Sequence, residues 1–294
     1  MEIVKKVKHE CGMRTIYLFG IRIFSYFSKK LPYWVMLDIM KNIGIKECKN
    51  EIENIVLGSS HARHGFIPDV YEYNLGGSSQ DLYTSYKLYE WILKNDFKNL
   101  KNIILFYSPF SPGFQLCKTS EAWKCIAYKT FYNIDFQSEL PEDAKYLEKK
   151  LPYVIKNKKC DLPENYRGEV FYSDKNGFID IAAIAKRWIK HNRRNNNQNL
   201  YLEKLIEKSN ANNHNLYIVI APLRKDLKLL LPDKEIIFSS LYKLTENHST
   251  LKLIDLYNSE DFDVLDFEDT DHMSYTGAKK LTGIIKGIID TIER

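Results

Sequence analysis

Four short apolar runs, at residues 55–57, 103–107, 216–220 and 251–256, restrict what this chain can fold into more than any other feature. Each has strand length and is rich in branched residues, and each is separated from the next by segments with helical patterning. Those segments fall roughly at 81–93, 179–208, 234–245 and 276–289. Strands that alternate with helices build a parallel sheet covered on both faces, and in such sheets ligands bind beyond the carboxyl ends of the strands. A site is therefore expected directly after residue 57.

The stretch IVLGSSHARHGF, residues 55–66, turns abruptly polar at that point. A serine on the turn after a strand, preceded by a glycine that lets the backbone bend, is how a nucleophile is exposed at the top of an α/β sheet. A serine alone is inert and needs a base, and the base needs a carboxylate to orient it. EDTDHMSYTGAKKL, residues 268–281, supplies both: Asp269 and His272 lie three apart, just before a helix that begins near Tyr275. Asp271 is a competing carboxylate next to the histidine.

Together these blocks resemble the SGNH, or GDSL-like, hydrolase superfamily. The matching residues are Gly58-Ser59-Ser60 after the first strand, YNLGGSS at residues 73–79 after the second, and Asp269-Thr270-Asp271-His272 before the last helix. The wording is closer to divergent branches found among polysaccharide-modifying proteins than to the standard lipases and esterases. The resemblance covers residues 53–294 and implies a three-layer α/β/α flavodoxin-like fold, with Ser60 as nucleophile, His272 as general base and Asp269 as its orienter. The family's spacing favours Asp269 over Asp271.

The same resemblance assigns oxyanion donors to the Ser60 backbone N–H, to Gly76 or Gly77, and to Ser79, which a gapless count places where the family often has glycine. The family's third block carries an asparagine. Here SPFSPG follows the third strand instead, leaving Ser108 or Ser111 as substitutes. His61, Arg63, Ser108 and Arg224 are candidate substrate contacts. Arg224 follows a strand, where a guanidinium holds a carboxylate or phosphate; the other reading is a surface arginine that begins a helix. His61 and His64 lie three apart without a third ligand at a telling distance, so no metal is expected, and they are expected to begin a helix. Neither GxGxxG nor GxxxxGK[ST] is present, so no nucleotide cofactor is expected.

Residues 1–50 read as an N-terminal helical or amphipathic extension, and 51–294 as one α/β domain with a proline-rich insertion at about 110–178. TIYLFGIRIFSYF, residues 15–27, is apolar but interrupted by Arg22, and it is shorter than the roughly 20 residues that span a bilayer. No small-residue cleavage site follows it. It either lies on a membrane surface through its aromatics and basic flanks or packs on the domain as an ordinary amphipathic segment. YLFGIRIFSYFSKK also resembles short leaders of bacterial enzymes that build or decorate surface polysaccharides. The polar run at 190–199 reads as a solvated helix end or loop.

The formal charge of +5 comes from 43 basic and 38 acidic residues, too even a balance for a dedicated nucleic-acid binder. Five cysteines form an odd set without a CxxC pair, which fits free thiols and makes the cytoplasm the expected location, with a peripheral position at the inner membrane the alternative that residues 15–27 leave open. The expected activity is a serine esterase or O-acyltransferase acting on ester groups, O-acetyl above all, of a surface polysaccharide such as capsule or lipopolysaccharide, or of its precursor. The partner is then a glycan or acylated sugar. The alternatives are transfer of a phosphorus-containing group by the same serine, or a degenerate fold that binds glycan or supports an assembly complex.

Overall fold

A computed structural model describes residues 3–8, 13–27, 33–136, 140, 144–145, 147–149, 151, 166–169, 180–194, 197–248 and 250–294. The chain divides into two compact units, one of residues 1–44 with 116–164, the other of residues 45–115 with 165–294.

The larger unit is built on a five-stranded parallel sheet of β4 (Asn54–Gly58), β5 (Glu72–Asn74), β6 (Asn102–Phe106), β7 (Asn215–Ile220) and β8 (Lys252–Asp255), in the spatial order β5-β4-β6-β7-β8. Counted within this sheet the order is 2-1-3-4-5, the flavodoxin-like doubly wound arrangement. Its central strands are apolar on both faces because both are covered, as in other parallel sheets. Val56, Ile104, Phe106, Tyr217, Val219 and Ile254 form one core with α2 (Ser60–Gly65) and the C-terminal helix (Tyr275–Glu293), which contributes Ala278, Leu281, Ile285 and Ile289. The alternate residues Ile55, Leu57, Ile103, Leu105 and Ile218 are fully buried on the opposite face. That face carries α3 (Leu82–Lys94) and the helix Asn199–Ala211, which pack on each other and on the sheet. The layering is thus α/β/α, as the strand and helix pattern predicts.

Two expected helices are each divided. The segment expected at 179–208 forms Ile181–Asn192 and Asn199–Ala211, interrupted where Asn197 takes a left-handed φ of 37°. The segment expected at 234–245 forms Lys234–Ile237 and Ser239–Asn247. In chain order we label the helices α1 (Tyr33–Cys48), α2, α3, α4 (Cys125–Tyr132), α5 (Ile181–Asn192), α6 (Asn199–Ala211), α7 (Lys225–Lys228), α8 (Lys234–Ile237), α9 (Ser239–Asn247) and α10 (Tyr275–Glu293).

In the smaller unit the N-terminal residues depart from the expected helical extension, since α1 is the one helix among the described residues of 1–50. Residues 13–27 form β2 (Met13–Leu18) and β3 (Ile21–Phe27), which with β1 (Val4–Lys8) make a three-stranded antiparallel sheet. The physical reason is a two-residue turn: Phe19 and Gly20 both take positive φ, 51° and 81°, as a type I′ hairpin requires. Met13 packs with Trp123, Ile126, Ala144, Leu147 and Leu151 in a core of this unit, so part of the expected insertion clusters with the N-terminal residues. Most of 137–165 and 170–179 lies outside the described residues.

Candidate active site

All the groups below belong to the larger unit and follow the carboxyl ends of its strands. β4 ends at Gly58, whose φ is +127° and whose absent Cβ would stand 2.7 Å from the Phe106 carbonyl oxygen, so only glycine fits this exit. Ser59 is the N-cap of α2, its hydroxyl accepting from the His61 N–H at 3.4 Å. Ser60 is the first residue of that helix and is half-buried. Among the described residues its hydroxyl has no hydrogen-bond partner, which leaves it available to a ligand. The expectation that His61 and His64 begin a helix holds, since both lie on α2.

After β5 the chain turns back under α2. The Asn74 amide donates to the Ala62 and Phe66 carbonyls at 2.9 and 2.8 Å, and its oxygen accepts from the Gly76 N–H at 2.9 Å. The Gly77 N–H donates to the Gly58 carbonyl at 3.0 Å. Two expected oxyanion donors are therefore corrected: the Gly76 and Gly77 amides are taken by the fold. Ser79 has a left-handed φ of 61°. A loop held this way positions the Gly58–Ser60 turn and offers a ligand no glycine N–H.

The turn at residues 268–272, beyond β8, is organised around Asp269. Asp269 Oδ1 accepts the backbone N–H groups of Asp271 and His272 at 3.0 and 2.8 Å, while its Oδ2 meets His272 Nδ1 at 2.7 Å. Asp269 thus fixes both the turn and the imidazole on it. His272 Nε2 is buried without a hydrogen-bond partner, and the Asp271 carboxylate lies 3.9 Å from it. Burial disfavours the imidazolium, but Asp271, Asp269 and Glu268 outweigh that and raise the His272 pKa to about 9. Burial likewise pushes Asp271 up, yet His272 and His61 hold it at about 2. For Asp269 the hydrogen bond and charge of His272 overcome burial and lower its pKa.

A second histidine–carboxylate pair adjoins the first. His61 Nε2 meets Asp271 Oδ2 at 3.2 Å, His61 Nδ1 meets the Ser108 hydroxyl at 2.7 Å, and that hydroxyl lies 3.0 Å from Ser59 Oγ. With the hydrogen on Nε2, the hydroxyls of Ser59 and Ser108 donate in sequence toward His61, and His61 donates to Asp271. Trp188 stands edge-on to His61 with ring centroids 5.3 Å apart, and Phe110 covers it at 5.8 Å. Ser111 accepts from the Ser108 N–H at 2.9 Å. His61 and Ser108, expected as substrate contacts, are thus buried members of a chain that ends on Asp271.

The two arginines are also engaged. Arg63 is buried and donates to Ser78 Oγ at 2.8 Å, its Nε lacking a partner. Arg224 precedes α7, donates to the Asp269 carbonyl at 2.9 Å and pairs with Asp226 at 2.5 Å. It supports the turn that carries His272. His64 lies beside Glu268, Nδ1 to Oε1 3.1 Å, and its ring faces that of His272 at 4.8 Å. Ligand atoms of Glu268, Asp269 and His272 lie within 4.8 Å of one another, a proximity that the Asp269–His272 hydrogen bond already explains.

Sequence reasoning missed Asp271 as a partner of both histidines, and it missed Trp188 and Phe110 altogether. The only signal for Asp271 was its position beside His272.

No protein-family model matches the chain, and no curated protein matches it. Among solved structures, the chain is similar to a Bacteroides fragilis protein described as a "putative acylhydrolase", with 11% identity, 84% of this chain and 90% of that one covered, and a TM-score of 0.41.

Proposed function

We propose that the protein is a serine-dependent esterase or O-acyltransferase of SGNH type. The carrying observation is the arrangement after β8: His272 is clamped through Nδ1 on Asp269, and its buried Nε2 has no hydrogen-bond partner. That is the geometry of a general base, which becomes competent to accept a hydroxyl proton once the imidazolium has lost its own proton from Nε2. The order of motifs along the 2-1-3-4-5 sheet, with Ser60 on the turn after β4, supports Ser60 as that hydroxyl.

In this reading Ser60 Oγ attacks an acyl carbonyl while His272 Nε2 takes its proton. The imidazolium then returns the proton to the leaving alkoxide, and water or a sugar hydroxyl resolves the acyl-enzyme. Asp269 holds the imidazole in the tautomer whose Nε2 accepts. The substrate is an ester, of the O-acetyl class, on a bacterial surface polysaccharide or its precursor; the GSSHARHGF and YNLGGSS wording and the resemblance of the YLFGIRIFSYFSKK segment support that class. Oxyanion stabilisation falls to the Ser60 N–H and the 79 region, given that Gly76 and Gly77 are engaged.

The same engagement favours a second reading, a degenerate fold that binds glycan without catalysis. Reaction with a fluorophosphonate, located by peptide mass, separates the two. Labelling at Ser60 that is lost in both Ser60→Ala and His272→Ala supports the enzyme. A folded wild-type protein that takes no label refutes it.

A further inference from the structure

The three-stranded sheet of the smaller unit has two unlike faces. Cross-strand partners share a face, so Val7, Thr15 and Ser25 lie together, and Met13 and Thr15 are buried on that side. The opposite face carries Val4, Ile16, Leu18, Ile21, Phe24 and Tyr26 in register with Lys6, Lys8 and Arg14. On an ordinary half-covered antiparallel sheet this outer face is polar. Here Ile21 is 69% exposed and Phe24 53% exposed. Clusters of exposed apolar side chains mark interaction surfaces.

The charges indicate what kind of surface it meets. Lys6, Lys8 and Arg14 are exposed and make no ion pair among the described residues, and the described strand residues include no acidic side chain. Branched aliphatic groups side by side with unpaired cations, and with an aromatic pair whose ring centroids lie 5.9 Å apart, match the boundary between acyl chains and anionic headgroups. A phosphodiester backbone would use the cations and gain nothing from Val4, Leu18 and Ile21. A protein partner with acidic rims would use both, but it would require a matched shape that nothing here specifies.

We infer that the outer face of β1-β2-β3 docks the protein on an anionic lipid surface, with Ile21 and Phe24 entering the interface and Lys6, Lys8 and Arg14 meeting headgroup phosphates. The inference is independent of the chemistry at Ser60. Among the described residues no helix is long and apolar enough to cross a membrane, so this attachment is interfacial.

The test is flotation of the full-length protein with vesicles of phosphatidylcholine alone and of phosphatidylcholine with about a third phosphatidylglycerol. Binding is expected only to the anionic vesicles and is expected to weaken with salt. Each cation near such a surface contributes about fivefold in partitioning, so Lys6→Gln with Arg14→Gln should lower it roughly 30-fold. Phe24→Ser should lower it separately, and circular dichroism with an unchanged melting transition shows that each variant is folded. Failure to bind anionic vesicles overturns the proposal, as does equal binding to neutral ones. Self-association that Phe24→Ser abolishes, without vesicle binding, would reassign the face to a second copy and overturn it as well.

Discussion

Asp271→Asn tests the electrostatics of the site most directly. In the native protein His272 titrates at about 9, and Asp271 is the largest of the influences that raise it. At pH 7 an imidazole with that pKa is about 1% neutral, whereas one at the ordinary 6.5 is about three-quarters neutral. Asparagine keeps the shape of Asp271 and can still accept from His61 Nε2, so the substitution removes charge and little else. Losing even one pKa unit raises the neutral fraction at pH 7 about tenfold, and full return to 6.5 raises it roughly 75-fold. The assay is the second-order rate of fluorophosphonate labelling at Ser60 from pH 5 to 10, run beside an NMR titration of the His272 ring. The wild type should climb about tenfold per unit up to pH 9, while the variant should level off at least one unit lower and label faster at pH 7. Above pH 9.5 the variant should be the slower, because a weaker base draws the serine proton less readily. Identical midpoints in the two proteins would refute the argument. A wild-type midpoint at 6.5 in the NMR titration would do so without reference to catalysis.

Gly58→Ala should destabilise the larger unit by about 2–5 kcal/mol in urea denaturation, since φ is +127° and the added Cβ would stand 2.7 Å from the Phe106 carbonyl oxygen. Asn74→Ala strands the Phe66 carbonyl and removes one partner each from the Ala62 carbonyl, which keeps the Phe66 N–H, and from the Gly76 N–H; a loss of about 1–3 kcal/mol for the carbonyl left unsatisfied, with slower Ser60 labelling, is expected. The folded-state pKa of His272 is raised, so its contribution to stability is complete below pH 6.5 and is lost as pH rises through about 9. That loss amounts to at most about 3 kcal/mol, read as a falling urea midpoint between pH 6 and 10 whose slope flattens in His272→Ala. Phe19→Asn should raise the melting temperature of the hairpin unit, because asparagine tolerates the left-handed φ of 51° that costs phenylalanine about 1 kcal/mol.

What the sequence revealed and what it concealed divide along one physical line. Strands β4, β6 and β7 were legible because a strand buried on both faces leaves a continuous apolar run, the edge strand β8 because its leucines and isoleucine recur around Lys252 and Asp255, and the helices α3 and α10 because one apolar face repeats at helical spacing. β5 was not, since Glu72–Asn74 is three residues long and entirely short of such a run. The N-terminal strands were read as part of a helical or amphipathic extension because their exposed face is apolar too, which erases the alternation that announces an antiparallel strand. At the site, Asp269 and His272 were legible because their contact is local, three residues apart within one turn.

The His61–Asp271 contact joins residues 210 apart, and only the order of strands in the sheet brings α2 and the β8 turn together. The glycines show the converse. YNLGGSS identifies backbone that must approach something closely, and Gly76 does so, its absent Cβ falling 2.7 Å from that of Ala62. Which carbonyl or side chain then takes the glycine N–H depends on Asn74 and Gly58, that is, on packing that no spacing encodes. Residue types and local spacing therefore identify candidate acids, bases and nucleophiles, whereas the field that sets their protonation arises from groups that topology alone brings near. In this protein that field centres on Asp271, placed between two histidines and held ionised by both.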